Sequence, residues 1–159
     1  MFSELIFKGE FEGVKIGADI TKSHLKFELI KAEEGDIPSL HNLNFKNDNF
    51  EITVYKNVII GIAYNFEYKP KKTHEIVAKN TKCKIGYRSN INEFLKFLNE
   101  NHIENKMQYS EKRDYAEITI IESNMSFRFV EPNYSILCKF WSFDINQYNE
   151  MSKKIEEKN

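Results

Sequence analysis

Cysteine is scarce in this sequence of 159 residues, and so are long apolar runs. Cys83 and Cys138 are the only two cysteines, and neither belongs to a Cys-x-x-Cys pair. This excludes a disulfide framework and predicts two reduced thiols. No apolar run approaches the ~20 residues that a membrane-spanning helix needs. The stretch Met1-Phe2-Ser3-Glu4 lacks the features of a secretion signal. We therefore expect a cytoplasmic protein with no membrane partner.

Sequence motifs of common enzymes are also missing. The chain contains no G-x-S-x-G, no H-E-x-x-H, no phosphate-binding loop and no G-x-G-x-x-G. No histidine lies three or four residues from another, as in many local metal sites; the four are His24, His41, His74 and His102. The paired carboxylates Glu33-Glu34 and Glu156-Glu157 lie at the ends of predicted helices, where solvent-facing positions explain them. The sequence therefore predicts no catalysis, no metal and no cofactor.

Aromatic residues, in contrast, are abundant. Thirteen phenylalanines and eight tyrosines accompany one tryptophan and only six glycines. Rings suit the pleated faces of strands, so the composition favours a strand-rich fold. The length fits a single domain, spanning 1–159, that can bury enough surface to fold without a metal or a disulfide. The net charge of −1 excludes a globally basic nucleic-acid-binding protein but allows a basic patch.

Three short segments recur in the same order later in the chain. The matches are Lys15-Ile16-Gly17 with Lys84-Ile85-Gly86, Leu25-Lys26-Phe27 with Leu95-Lys96-Phe97, and Glu51-Ile52-Thr53 with Glu117-Ile118-Thr119. Recurrence at a nearly constant offset predicts two copies of one supersecondary unit, at 5–68 and 82–143, followed by a terminal helix at 144–159. A duplicated unit favours a two-part binding platform over an enzyme.

Turn and cap residues give the predicted elements of each unit. In the first unit these are strands at 5–7 and 14–16, a helix that begins after Asp19 or Thr21 and ends at Gly35, and a hairpin of 49–55 and 58–68 around Lys56-Asn57. In the second unit they are a strand at 82–87, a helix at 91–101 capped by Asn90, and strands at 106–109, 115–121, 125–130 and 135–143. Short turns between neighbouring strands predict an α+β fold with a mainly antiparallel sheet. We expect the helix of each unit to pack on the same side of the strands.

The strand predicted at 58–68 has large residues on one face and small ones on the other. Ile60, Ile62, Tyr64, Phe66 and Tyr68 alternate with Gly61, Ala63 and Asn65. Such a strand is packed tightly on one side and can be approached closely on the other. The pattern is explained by packing alone, or by a binding groove bordered by Gly61, Ala63 and Asn65.

The stretch from Lys69 to Arg88 is strongly basic. It contains seven positive side chains and one acid, Glu75; the cations are Lys69, Lys71, Lys72, Lys79, Lys82, Lys84 and Arg88. One interpretation is a solvated, lysine-rich linker between the duplicated units. The other is a charged surface that attracts an acidic partner or a phosphate backbone. In the second interpretation, Lys69, Lys71 and Lys72 form the charged rim of the groove.

The arrangement resembles that of a known family of bacterial proteins. The residues that carry the resemblance are the Lys15-Ile16-Gly17 turn and the segment I-T-V-Y-K-N-V-I-I-G-I at 52–62. Together they resemble immunity proteins of contact-dependent growth inhibition systems, in particular the group whose fold is similar to the Whirly single-stranded-DNA-binding domain. The resemblance covers about 11–143 and rests on the arrangement of elements, not on a diagnostic motif.

The resemblance implies a non-catalytic inhibitor. Such a protein binds a toxin domain delivered by a neighbouring cell, commonly a nuclease, and blocks its activity. Strand addition at a sheet edge would supply backbone hydrogen bonds, and alternating side chains would supply specificity. The alternative is a single-stranded nucleic-acid-binding domain that uses the sheet and the Lys69–Arg88 stretch. A small-molecule or lipid pocket lined by aromatic rings is a third, weaker alternative.

Overall fold

The computed structural model describes residues 2–29, 40–45 and 50–157, and all structural statements concern these ranges. In the first half, the elements are α1 (Phe2–Lys8), β1 (Glu10–Phe11), β2 (Val14–Lys15), a 3-10 turn (Ile20–Lys22), β3 (Phe27–Leu29), β4 (Leu40–Phe45), β5 (Phe50–Tyr55) and β6 (Val58–Asn65). In the second half, they are β7 (Thr73–Ala78), β8 (Thr81–Gly86), α2 (Ile91–Glu100), β9 (Asn105–Tyr109), β10 (Tyr115–Ile120), β11 (Met125–Val130), β12 (Ile136–Phe143) and α3 (Ile145–Glu156).

Two antiparallel meanders join into one large sheet. The described strands form an eight-stranded sheet in the order β3-β4-β5-β6-β12-β11-β10-β9, and β1-β2 and β7-β8 form separate hairpins. The two meanders meet where β6 pairs antiparallel with β12. The predicted α+β class with a mainly antiparallel sheet and a C-terminal helix is therefore confirmed. None of the helices in the described ranges combines the length and the hydropathy needed to cross a membrane.

The β5–β6 hairpin matches its prediction closely. Lys56 and Asn57 form the turn, with φ angles of 50° and 64°. Two consecutive left-handed residues twist the chain in the sense that paired strands prefer. The register shifts between Thr53 and Val54, which marks a β-bulge. Because of this bulge, Ile60 packs with Tyr55 and Met151 on the opposite side of the sheet from Ile62. The prediction that Ile60 shares one face of the strand with Ile62 and Tyr64 was therefore wrong.

The main hydrophobic core lies on one face of the sheet. Tyr64 and Phe140, paired across β6 and β12, are buried there with Phe127 and Phe129 of β11. The elements α1, α2 and the β7–β8 hairpin contribute to the same core. Helix α2 begins at a side-chain cap, where Asn90 Oδ1 accepts a hydrogen bond of 2.8 Å from the Asn92 N–H. Its buried residues, Ile91, Phe94, Phe97 and Leu98, recur at helical spacing.

Helix α3 packs on the other face, at one end of the sheet. Met151 joins Tyr55 and Ile60 in a small second cluster. Lys154 Nζ donates a hydrogen bond of 2.8 Å to the Tyr55 hydroxyl. The helix start is fixed by Asp144, whose Oδ1 accepts from the Asn146 N–H at 3.0 Å. The helix is therefore anchored to β5 and β6.

Two predictions for the first unit were wrong. The segment 5–7, predicted as a strand, belongs to α1, because Phe2, Leu5 and Ile6 are buried at helical spacing. The helix predicted from Asp19 or Thr21 to Gly35 is replaced by the 3-10 turn and by β3. Asp19 does cap, accepting from the Thr21 N–H at 2.9 Å, but the chain then extends to pair with β4. The end of that predicted helix, 30–35, lies outside the described residues.

The basic stretch is a β-hairpin, so the linker interpretation was wrong. Strand β7 had not been predicted, and it pairs with β8 over the whole length of both strands. Ile76 and Ile85 point into the main core from this hairpin. His74 is stacked on Phe2 at a centroid distance of 3.9 Å, and its Nε2 lies 2.8 Å from the Tyr64 hydroxyl. The hairpin is therefore a wall of the core that carries lysines on its outer side.

The sequence repeats do not all map onto equivalent structure. The segments 51–53 and 117–119 both lie in strands, and 15–17 and 84–86 both lie at the ends of hairpin strands. The segments 25–27 and 95–97 differ, because the first leads into β3 and the second lies in α2. The Whirly-like duplication at 5–68 and 82–143 therefore stays a prediction, and of the two predicted unit helices only α2 is present in the described ranges.

Candidate functional site

The face of the sheet opposite the main core presents polar and aromatic side chains. The alternation of β12 sends Lys139, Trp141 and Phe143 to this side, opposite the buried Phe140 and Ser142. The residues that form its centre, named here the open face, are Ala63, Asn65, Tyr115, Glu117, Arg128, Lys139 and Trp141. All except Glu117 are half-buried. The open face lies next to α3 and spans β6, β12, β11 and β10.

Arg128 organises the centre of the open face. Its Nε and Nη2 donate hydrogen bonds of 2.9 Å and 2.6 Å to Glu117 Oε1 across the β10–β11 pair. The guanidinium carbon lies 4.3 Å from the centroid of the Tyr115 ring and 5.1 Å from that of the Trp141 ring. Lys139 Nζ lies 4.9 Å from the Trp141 ring. A charge-assisted pair and several cation–π contacts therefore hold these side chains in fixed positions.

Apolar side chains extend the open face toward α3. Phe143 is 37% exposed, and its ring centroid lies 6.0 Å from that of Tyr148 on α3. Tyr148 is 44% exposed, and the neighbouring Ile145 is 63% exposed. Trp141 and Phe143 point to the same side of β12, so the aromatic surface continues from the strand to the helix. An exposed apolar surface of this kind, rimmed by charges, is typical of an interaction site.

The three residues predicted to border a groove lie on this side of β6, but the groove itself is partly filled. Gly61 is buried beneath Phe143, because a Cβ there would lie only 2.5 Å from Phe143 Cε1. The groove predicted to be bordered by Gly61 is therefore not open at that residue, since the Phe143 ring covers it, and partner contact at Gly61, Ala63 and Asn65 stays a prediction. Ala63 pairs with Trp141 and remains half-buried. Asn65 has a structural role, because its Oδ1 accepts a 2.9 Å hydrogen bond from the Glu67 N–H at the end of β6.

The three lysines predicted as the rim are not gathered around Gly61. They lie in the turn between β6 and β7, where Lys72 N–H donates to the Lys69 carbonyl at 2.9 Å. All three are exposed. Lys71 lines a cleft with Lys84 and Arg88, on the layer formed by the β7–β8 hairpin. The β7–β8 layer packs on the main-core side of the sheet, and contact of Lys69, Lys71 and Lys72 with a partner stays a prediction.

Three central residues of the open face were missed by the sequence analysis. Tyr115, Arg128 and Trp141 lie on three different strands, and only the register of the sheet brings them together. A local signal existed in β11, where Arg128 stands between the buried Phe127 and Phe129. A cation in an alternating aromatic strand points to the face away from the core. The single tryptophan of the chain, Trp141, is a second such signal.

The two cysteines are not poised as nucleophiles. Burial raises the pKa of the Cys83 thiol, and the nearby charge of Glu93 raises it further. Burial is also the main cause that raises the pKa of Cys138, with Glu67 adding to it. A raised thiol pKa disfavours the reactive thiolate at neutral pH. Within the described ranges, no three His, Cys, Asp or Glu side chains form a group that could hold a metal ion.

Comparison with known proteins adds no relative to this picture. No family model, no curated protein and no solved structure matches the chain. The fold and the open face define an antiparallel α+β protein with an aromatic and charged sheet surface.

Proposed function

We propose that this chain is a binding protein that neutralises a toxin domain in the cytoplasm, as an immunity protein of a contact-dependent growth inhibition system. It acts by stoichiometric binding, without catalysis or cofactor. The observation that carries the proposal is the open face, where Trp141, Arg128 and Tyr115 lie together. Tryptophan, tyrosine and arginine are the residues that most often dominate the binding energy of protein–protein interfaces.

The state of these side chains supports a protein partner. Arg128 and Glu117 hold each other in place, so little side-chain entropy is lost when a partner covers them. The apolar surface of Phe143 and Tyr148 continues the patch and would be buried with it. Aromatic rings held by a fixed, internally paired arginine, next to an exposed apolar surface, are features found in specific protein–protein interfaces. The resemblance of the 52–62 hairpin to immunity proteins supplies the kind of partner.

The nucleic-acid alternative is less well supported by the same surface. Glu117 neutralises Arg128, which reduces the attraction for phosphate groups. Arg128 and Lys139 both lie over the Trp141 ring and leave less of it free to stack with a base. The lysines that would follow a phosphate backbone lie on the β7–β8 layer, on the other side of the sheet. A platform that combines the sheet with the basic stretch would therefore have to bind on two sides of the molecule.

The test is growth rescue by this chain of cells that express the toxin domain encoded immediately upstream. We expect rescue and co-purification as a one-to-one complex. Trp141→Ala should weaken binding by about 30-fold, the equivalent of about 2 kcal/mol for a central interface residue. Ala63→Arg should also block binding, because it places a long cation beside Trp141. Val77→Ala is the matched control, since Val77 is 40% exposed on the β7–β8 hairpin.

Each outcome of this experiment is informative. Loss of binding in both open-face variants but not in the control would support the proposed face. Unchanged binding by a folded Trp141→Ala protein would exclude the open face as the interface. Failure of the wild-type chain to rescue growth or to form a complex would contradict the immunity function itself.

A further inference from the structure

A second surface, on the β7–β8 layer, has the properties of an anion-binding site. A cleft of about 690 Å³ lies between the turn after β6, the end of β8 and the start of α2. Pro70 and Lys71 form one wall, Lys84 lies on β8, and Tyr87, Arg88 and Glu93 complete the lining. Clefts of roughly 300–1,000 Å³ are typical of small-molecule sites.

The charge of the cleft is not balanced from within the protein. Lys71, Lys84 and Arg88 face a single acid, Glu93. None of these three cations forms an ion pair in the described part of the chain. Lys82, on the same hairpin, shows the contrast, because its Nζ lies 2.9 Å from Glu75 Oε1. Like charges gathered without partners raise the local positive potential, which an anionic ligand would lower.

The backbone around the cleft is held by several hydrogen bonds. The Gly86 N–H donates to Ser89 Oγ at 2.9 Å, which closes the turn that carries Arg88. The Leu137 N–H donates to the Tyr87 carbonyl at 2.9 Å, which ties the same turn to β12. Gly86 also allows the two walls to approach, since a Cβ there would lie 2.9 Å from the Lys72 carbonyl oxygen. The cleft is therefore formed before any ligand arrives, which lowers the cost of binding.

We propose that this cleft binds phosphate groups, and that it does so independently of the open face. Lysine and arginine side chains are the usual partners of phosphate oxygens, and three of them with one opposing acid fit a ligand that carries at least two phosphate groups. Tyr87, half-buried against the main core, also lines the cleft and supplies an aromatic ring that a base or another flat group could contact. The phosphates belong either to a free nucleotide or polyphosphate, or to a short nucleic-acid strand.

The experiment is calorimetric titration of the full chain with three probes at constant ionic strength. The probes are tripolyphosphate, ATP and a short oligothymidylate. We expect saturable binding of at least one probe, weakened at least tenfold by Lys84→Gln and by Arg88→Gln. The matched control is Lys96→Gln, because Lys96 lies on the exposed side of α2, in an ion pair of 3.8 Å with Glu100. Circular dichroism confirms that each variant is folded.

The probes identify the source of the phosphate groups. Binding of ATP or tripolyphosphate that is lost in both cleft variants supports a free phosphorylated ligand. Binding of the oligonucleotide alone, with the same loss, supports a strand. No binding of any probe at millimolar concentration overturns the proposal, and so does an equal loss in the Lys96→Gln control. Toxin neutralisation is not read out, so the result does not depend on the function proposed above.

Discussion

The contact between Gly61 and Phe143 gives a prediction whose size can be worked out from the structure. A Cβ at position 61 would lie 2.5 Å and 2.6 Å from two carbons of the Phe143 ring, well inside van der Waals contact. Forcing a methyl group into a packed contact costs about 1–3 kcal/mol. Replacing a strand glycine by alanine returns about 0.5–1 kcal/mol of backbone entropy. We therefore expect Gly61→Ala to lower the free energy of unfolding by about 1 kcal/mol.

The double mutant separates the two contributions. In a Phe143→Ala background the ring is gone and Thr53 Cβ, 3.2 Å from the added Cβ, is the nearest remaining contact, so Gly61→Ala should stabilise the protein by about 0.5 kcal/mol. The coupling between the two substitutions is then about 1.5 kcal/mol, above the scatter of independent sites. Urea denaturation measures it, since a change of 1 kcal/mol shifts the midpoint by about 0.5 M at a typical m-value of about 2 kcal/mol per molar. Equal effects of Gly61→Ala in both backgrounds would refute the placement of Phe143 over Gly61.

Substitutions at three further positions test local contacts. Arg128→Met leaves the buried Glu117 without its cation, and we expect a loss of about 2 kcal/mol in urea denaturation. Asn90→Ala removes the cap of α2 and should cost about 1 kcal/mol, whereas Asn90→Ser should keep most of the stability. Hydrogen bonds, first from Lys154, lower the pKa of Glu150. The ionised Glu150 therefore contributes its full stabilisation above pH 4.5, the ordinary pKa of a glutamate, and the contribution is lost as the pH falls through the lower pKa of the folded state. We expect Glu150→Gln to make the free energy of unfolding less dependent on pH in this acidic range.

Each of these predictions has an outcome that contradicts it. If Arg128→Met were as stable as wild type, the Glu117 carboxylate would have to be solvated by water in the absence of Arg128. An Asn90→Ala protein as stable as wild type would show that the cap contributes nothing to α2. If the stability of Glu150→Gln fell with acid as steeply as that of wild type, other carboxylates would be responsible for the loss. Asp19 and Asp114 are examples, because hydrogen bonds also lower their pKa values.

Elements with strong local signals could be predicted from the sequence. Lys56-Asn57 accepts left-handed backbone angles, and alternating residues flank it, so the β5–β6 hairpin is determined within about fifteen residues. Helix α2 has a cap at Asn90 and buried residues at helical spacing. In both elements the local preference and the tertiary contacts agree, and the prediction was therefore confirmed.

Elements that depend on distant partners could not be predicted in the same way. Asp19 caps a first turn, but pairing of β3 with β4 prevents the turn from growing into a helix. Strand β7 lies in a lysine-rich stretch, and only its packing through Ile76 shows that it belongs to the core. The open face needs the register of β10, β11 and β12, including a bulge between Arg128 and Phe129. No local pattern encodes that register, so the aromatic cluster became visible only in the folded chain.

The last strand of the sheet in chain order lies at its centre. Strand β12 pairs with β6 on one side and with β11 on the other. During synthesis, both meanders therefore have an unpaired edge until 136–143 has left the ribosome. Such long-range pairing slows folding and prolongs the exposure of open strand edges. A chain that stops before Ile136 would lack the strand that joins the two halves, and it would aggregate through both edges instead of folding into a slightly smaller protein.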